Sequence, residues 1–411
     1  MFKRIPGTKD ILPDEASLWQ NIEESARKIF SLYNYREIRV PVIEEESLFN
    51  RSLGQSSEII QKQMFLIRHQ NDVYALRPEG TAGIVRSYIE NNLDKKESFA
   101  KLYYIGPMFR LERPQKGRLR QFHHIGCEAI GSGCASLDIE IISLADRLLK
   151  GFCVEGYKIK INSLGCAKDK KELTVVLHKG LKNKLDKLCL DCNTRFKVNI
   201  LRILDCKNDQ CREVVKGLNI HEEYLCPDCK RHFEIVLKGL DLVNIKYEVS
   251  PYLVRGLDYY TRTVFEITHE ELGAQDALGA GGRYDNLVKE LDGPEMGAVG
   301  FAFGVERLLL VARCAPHAGK SLVYFIPLGD EARKEALKLL EDLRANAIAC
   351  DMEYEGKSLK GAMRKANDLQ AKVVLILGED ELKKNVVTLK DMVSGEQREI
   401  KKEDLVAELK K

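Results

Sequence analysis

Residues 98–130 constrain this chain more than any other stretch, because two long strand signals flank a short basic loop. Ser98 to Arg110 and Arg118 to Ile130 each read as an extended run, and Arg113-Pro-Gln-Lys-Gly117 lies between them. A loop holding both Pro and Gly predicts an antiparallel hairpin with a mobile tip. Residues 110–120 carry five cations and one acid. Alternation sends Arg110, Arg118 and Arg120 to a common kind of position. Clustered guanidinium groups on a rigid sheet suit a polyanion, because they pair bidentately with phosphate. A solvated charged edge that keeps a sheet from aggregating explains the same composition equally well.

The segments around the hairpin divide the chain. Pro13 to Phe30 has a helical period, with Leu18, Trp19, Ile22, Ala26, Ile29 and Phe30 on one stripe. Tyr35-Arg-Glu-Ile-Arg-Val alternates and stops at Pro41, as an edge strand does. Residues 166–245 turn Lys-, Leu- and Cys-rich with helical spacing, which reads as a separate helical insertion. Strand signals return at Lys246 to Val254 and Thr263 to Thr268, before the glycine cluster Gly279-Ala-Gly-Gly-Arg-Tyr-Asp285. Met296 to Arg313 starts as an apolar strand and continues as a helix. The expected organisation is therefore a core from 1–165 and 246–315, the insertion 166–245, a linker at 316–320 and a domain at 321–411. Alternating strands and helices in the last segment predict a small α/β domain with a mostly parallel sheet.

Charge and composition exclude several classes. With 65 Lys+Arg against 62 Asp+Glu, the net charge is +3, so a nucleic acid must be met by a local basic patch. The N-terminus has no apolar h-region and no stretch approaches 18 uninterrupted apolar residues, which argues against signal peptides and membrane spans. Twelve cysteines are too few for a disulfide scaffold, so a soluble cytosolic protein is expected.

Six of those cysteines lie between 189 and 229, as Cys189/Cys192, Cys206/Cys211 and Cys226/Cys229. Paired C-x2-C knuckles, here Cys189, Cys192, Cys226 and Cys229, have the pattern of a closed structural zinc site. Free thiols compete with that reading, because the gap between the outer knuckles exceeds ordinary ribbon spacing; His221 and His232 lie nearby. Leu76-Arg-Pro-Glu-Gly-Thr81 presents Glu79 and Thr81 at a turn where Gly80 permits close approach, or else is a plain turn with Thr81 as helix N-cap. Arg255-Gly-Leu-Asp-Tyr-Tyr260 packs a cation, an anion and two phenols together. Gly281-Gly-Arg-Tyr284 fits neither the P-loop nor the dinucleotide fingerprint. Gly304-Val-Glu-Arg307 puts Arg307 in a first helical turn.

Taken in this order, these segments resemble the histidyl-tRNA synthetase family, bacterial type, among the class II aminoacyl-tRNA synthetases. Tyr35 to Glu44, Phe109 through Glu128 and Gly300 through Arg307 look like the three class-defining motifs. RGLDYYTRTVFE (255–266) and GAGGRYDNL (279–287) look like the two signatures of the histidine enzymes, and LRPEGTAG (76–83) agrees. The resemblance implies an α+β catalytic domain, an antiparallel sheet flanked by helices, with a C-terminal α/β anticodon-binding domain. It implies histidine and ATP giving histidyl-adenylate, then transfer to the terminal adenosine of tRNA(His), by a cytoplasmic homodimer with Mg²⁺. On it, Arg110 and Arg255 are catalytic, and Arg110, Arg113, Arg118 and Arg307 bind ATP. Glu79, Gly80, Thr81, Arg110, His124, Glu128, Arg255, Tyr259 and Tyr260 bind histidine, while Arg113, Gln115 and Lys116 face the tRNA acceptor end. The family usually has Gln at the position of His124, so a neutral imidazole acceptor and a loss of activity at mildly acid pH are expected. Three alternatives compete: a silent paralogue acting as a regulatory subunit of ATP phosphoribosyltransferase, a synthetase for another amino acid, and an RNA-binding module. The first lacks the histidine signatures and C-terminal domain that this chain has, and the third has no use for Glu79, Glu128 and the two tyrosines.

Overall fold

The computed structural model describes residues 2–54, 57–115, 117–218, 220, 222–313 and 322–410; the expected linker 316–320, Lys116 and His221 lie outside them. The chain forms two compact units, residues 1–314 and 315–411. Among the described residues, no helix is long and apolar enough to cross a membrane.

Strands of the first unit are β1 (Arg36–Glu37), β2 (Ile43–Glu45), β3 (Phe65–His69), β4 (Asp72–Leu76), β5 (Ala100–Phe109), β6 (Gln121–Ile130), β7 (Lys158–Ser163) and β8 (Glu248–Val249), then β9 (Thr261–Thr268), β10 (Ala277–Arg283) and β11 (Ala298–Gly304). Eight of them form one sheet in the order β1-β5-β6-β11-β10-β9-β7-β8, antiparallel except at its two edge pairs. The long hairpin is its β5–β6 pair, in register from Ala100↔Ile130 to Phe109↔Gln121. The expected edge strand after Tyr35 and the expected strand Lys246 to Val254 each shrink to two residues. At β1, Ile38 N–H still donates to Tyr103 O, but Pro41 ends the pairing. After β8, Asn162 Nδ2 donates to Pro251 O and Leu253 O and holds the chain without a ladder. The glycine cluster is a strand, β10, paired on both sides. A smaller sheet, β2-β4-β3, was not legible in the pattern.

Alternation along β5 and β6 splits the first unit's core between the two faces of the sheet. Tyr103, Ile125, Cys127 and Ala129 pack with Trp19, Ile22, Ala26 and Phe30 of the helix Pro13–Leu32, and with the helix Ala135–Gly151. Tyr104, on the other face, packs with Tyr259, Tyr260 and Tyr284. Between Ala167 and Leu242 the described chain is helical. It is not separate, however: Leu173, Leu177, Cys192, Ile203 and Cys211 belong to the same hydrophobic cluster as Tyr104.

In the second unit, β12 (Val323–Pro327), β13 (Cys350–Met352), β14 (Val373–Leu377), β15 (Val386–Asp391) and β16 (Gln397–Lys401) order as β13-β12-β14-β15-β16. Only β13-β12-β14 is parallel, so the sheet is mixed rather than mostly parallel. Residues 378–385 are too few for a parallel crossover, and Asn385 at φ 56° turns the chain back. Separate apolar clusters cover the two faces.

Candidate active site

One cleft on the Tyr104 face gathers most of the chemistry-bearing residues. Glu128 of β6 is 1% exposed. Its carboxylate accepts from Thr81 Oγ1 at 2.7 Å and from the Tyr284 hydroxyl. Gly300, in register beside it on β11, leaves the room: a Cβ there would collide with that carboxylate. Burial pushes Glu128 up to about 8, against the pull of its two hydroxyl donors and with Glu79 adding to the rise. Glu79 accepts the Thr81 and Ala82 N–H groups at 2.7 and 2.8 Å, so Glu79, and not Thr81, caps the helix Thr81–Glu90. Burial raises Glu79 too, while those N–H groups and Arg110 pull it down. The Tyr104 ring fills the space a side chain at Gly80 would need. The Tyr259 and Tyr260 rings lie tilted at 47° with centroids 4.7 Å apart, and Tyr284 is edge-on to Tyr259 at 5.7 Å. Burial holds all three phenols neutral.

Four arginines line the same cleft. Arg110 Nε donates to Pro78 O at 2.9 Å and its guanidinium lies over the Phe122 ring at 5.2 Å. Arg118 pairs with Glu112 at 3.3 Å. Arg307 enters from the helix Val305–Val311 and donates to Gly117 O and Ala277 O at 2.8 and 2.6 Å. Arg255 pairs with Glu266 at 2.5 Å, while its buried Nε makes no hydrogen bond. His124 Nδ1 is likewise buried without a partner. Burial, and then Arg110, Arg307, Arg77 and His123, hold the His124 ring well below the ordinary histidine value. That direction favours the neutral imidazole the sequence reading expects and works against a loss of activity in mild acid.

The cleft thus joins Glu79, Thr81, Arg110, Arg118, His124, Glu128, Arg255, Tyr259, Tyr260 and Arg307. Arg113 and Gln115 are exposed and line a neighbouring depression with Glu58 and Lys62. Arg120 leaves the arginine cluster to hold the N-terminal segment, donating to Pro6 O at 3.2 Å. Tyr104, Glu112, Phe122, Tyr284 and Glu306 line the cleft but were not among the sequence candidates. A hint existed for Tyr284, inside the glycine signature; for Tyr104 only its spacing from Glu128 across the hairpin could have shown it. Arg283, next to Tyr284, is fully buried against Asp138 and Asp285 and faces no ligand.

The expected four-cysteine grouping is not what forms. Cys189 and Cys192 meet Cys206 and Cys211, whereas Cys226 and Cys229 meet Cys166 and Asp169. The turn Ile200–Ile203 folds the chain after the helix Leu190–Val198 back on itself, which brings 206–211 to 189. The Cys226/Cys229 knuckle then finds its partners, Cys166 and Asp169, at the start of the helix Ala167–Leu181.

A sequence model of the histidyl-tRNA synthetase family matches residues 7–308, and one of an anticodon binding domain matches 322–411. The chain is 45% identical over 411 residues to a histidine–tRNA ligase of Thermosipho melanesiensis, covering 99% of this chain and 98% of the relative. It is 44% identical to one from Thermodesulfovibrio yellowstonii, at 98% and 97% coverage. The structure superposes on an apo histidyl-tRNA synthetase of S. aureus with a TM-score of 0.82 at 35% identity, covering 100% of both chains. With both family signatures on one cleft and full-length relatives on either side, the chain belongs to the histidyl-tRNA synthetase family.

Proposed function

We propose that this chain joins histidine to ATP and transfers the activated histidine to tRNA(His). The observation that carries this reading is the make-up of the cleft: the buried Glu79 and Glu128 and three phenols line it together with four arginines. An amino acid fits across it with its ammonium at Glu79 and Thr81 and its imidazole between Glu128 and the Tyr259–Tyr260 pair. Satisfying both ring nitrogens leaves buried polar groups unpaired with any other amino acid, which gives discrimination without editing.

The carboxylate then points toward the arginines. Its oxygen attacks the α-phosphorus of ATP, the new O–P bond forms, and the bond to the pyrophosphate oxygen breaks. Two anions meet in that step, so catalysis is largely the placement of cations. Arg110 and Arg255 neutralise the α-phosphoryl and carboxylate oxygens, Arg118 and Arg307 hold the β- and γ-phosphates, and Arg113 stands at the rim. The buried Nε of Arg255 and Nδ1 of His124 support this placement, since each has a polar atom left for a ligand. His124, as a neutral ring, is an acceptor for the amino group. The Mg²⁺ that accompanies ATP would be held by the phosphates, with the Glu112 carboxylate, which pairs with Arg118 at 3.3 Å, at hand beside them, and would supply charge neutralisation. In the second step the terminal adenosine hydroxyl attacks the carbonyl and AMP leaves.

Arg113, Gln115 and Lys116 at the hairpin tip would meet the acceptor end of the tRNA, and the 321–411 domain would read its anticodon. A homodimer through the 35–44 segment is supported by the apolar residues exposed beside it, Val42, Ile43, Leu66 and Ile67. On this reading the chain works in the cytoplasm, where its tRNA is. The test is ATP–pyrophosphate exchange with each of the twenty amino acids, without tRNA. Exchange with histidine alone is expected. Exchange with another amino acid would overturn the substrate, and none at all would favour the regulatory paralogue.

A further inference from the structure

We propose that the helical segment 166–245 holds two structural zinc ions, an inner one on Cys189, Cys192, Cys206 and Cys211 and an outer one on Cys166, Asp169, Cys226 and Cys229. Within each group, one ligand atom from every residue lies within 4.8 Å of all the others. A tetrahedral zinc with Zn–S of about 2.3 Å sets its sulfurs about 3.8 Å apart, so small side-chain rotations close either site. Cys189 Sγ and Cys206 Sγ already stand 3.9 Å apart. Spacing this tight suits one ion per group rather than a multi-iron cluster, and the described cysteines are all free thiols.

The backbone is arranged to gather these ligands. Cys166, Cys189 and Cys226 each occupy the N-cap of a helix, and Asp169, Cys192 and Cys229 sit at the third residue of the same helices. Each pair therefore presents two ligand atoms at one helix N-terminus, the N-cap and the third residue, from where both can converge on one ion. Cys211 occupies the third position of a fourth helix, Asp209–Lys216, whose N-cap Asn208 accepts its N–H. The Cys189 N–H in turn donates to Cys211 Sγ at 3.2 Å, so peptide and sulfur lock across the inner group. In the outer group, Asp169 accepts the N–H of Cys166 and of Cys226, both at 3.1 Å. A carboxylate has lone pairs left after two such bonds, so Asp169 joins the two knuckles and still serves as a ligand.

The sites are nested: the outer ligands bracket the inner ones in sequence. Together they tie the 64 residues from 166 to 229 into one shape, as small scaffolds with little core of their own require. That shape matters to the cleft. Asp205, next to inner ligand Cys206, lies within electrostatic reach of Arg255. Asn199 donates to Asp258 and Lys170 donates to the Asp258 carbonyl, both at 3.1 Å, one residue before Tyr259.

The test is metal analysis of the full chain expressed with zinc supplied, beside Cys211→Ser and Cys229→Ser. Two equivalents of zinc are expected in the parent and one in each variant. Cobalt substitution should give thiolate charge-transfer bands that fall more in Cys211→Ser, which loses a four-sulfur site, than in Cys229→Ser, which loses three. Should the variants not fold, mercurial titration of the parent decides alone, with two equivalents of zinc released as the supporting result. One equivalent, lost from both variants, would overturn the two-site arrangement in favour of a single shared site. Iron in place of zinc would overturn the metal, and a native chain with no metal and freely titrating thiols would overturn both sites.

Discussion

Two hydroxyls donate to Glu128, yet burial and the neighbouring Glu79 keep its carboxyl protonated up to about 8. In the unfolded chain this glutamate ionises near the ordinary value. Between the two, the folded chain keeps a proton that the unfolded chain releases, so the stability associated with this site falls as pH rises through that window. Glu128→Gln removes the titration. Its melting temperature relative to the parent should therefore climb between about pH 5 and about pH 8, and a pH-independent difference would count against the assignment. Histidine binding runs the other way, because an imidazole N–H is best accepted by the ionised carboxylate. KM for histidine should fall toward pH 8 in the parent. In Glu128→Gln it should be roughly 10- to 100-fold higher and flat, the loss of one charge-assisted hydrogen bond of ~1.5–3 kcal/mol. His124 gives a contrasting expectation. Since its ring stays neutral through mild acid, His124→Gln should leave the acid limb of the exchange profile where it is; a shifted limb would show that the imidazole titrates there after all.

At the scale of elements, one buried charged knot joins the helices Ala135–Gly151 and Pro227–Leu242 to β10. Arg283 of β10 and Asp138 of the helix Ala135–Gly151 are both fully buried as a pair, and His232 of the helix Pro227–Leu242 also reaches Asp138, at 3.2 Å. Losing Asp138 leaves Arg283 with Asp285 alone and His232 without its carboxylate, at a cost approaching the ~3–5 kcal/mol of breaking a buried pair. Asp138→Ala should lower the urea midpoint accordingly; a change within ~0.5 kcal/mol, typical of a surface site, would mean the knot opens to water. Arg283 also shows where sequence reading stops. The long hairpin was legible almost to the residue, because both its strands carry their own alternation and its turn carries Pro and Gly. The edge strands were overread, since Lys246 to Val254 has the strand pattern but lacks a second neighbour to pair with. Glu79, Thr81, Glu128, Tyr259 and Tyr260 were legible through their motifs. Tyr104, Tyr284 and the fate of Arg283 were not, because each depends on which strands lie side by side, and β10 meets β11 and β9 only in the folded sheet. The cysteine partners were hidden for the same reason: spacing reports knuckles, whereas the chain path through Ile200–Ile203 decides which knuckles meet.

For the whole molecule, the small sheet β2-β4-β3 ties possible assembly to chemistry. Ile43 and Ile67, which strand alternation puts on one face of this sheet, are 47% and 40% exposed, and Val42 just before β2 is 37% exposed. Directly behind them, Arg77 donates to Val40 O at 2.9 Å and to Pro107 O at 2.8 Å, joining the 35–44 segment to β5. Arg77 is also among the cations that keep His124 neutral. If a second copy covers the apolar strands, the position of Val40, and through it Arg77, is set by the interface. Ile67→Glu adds a charge at the centre of that surface without touching the cleft. It should shift the chain from dimer to monomer in sedimentation and lower histidine-dependent exchange, with activity recovering as protein concentration rises and the weakened dimer refills. A variant that stays dimeric would move the interface elsewhere. One that turns monomeric with full exchange activity would show that each copy's cleft is complete alone.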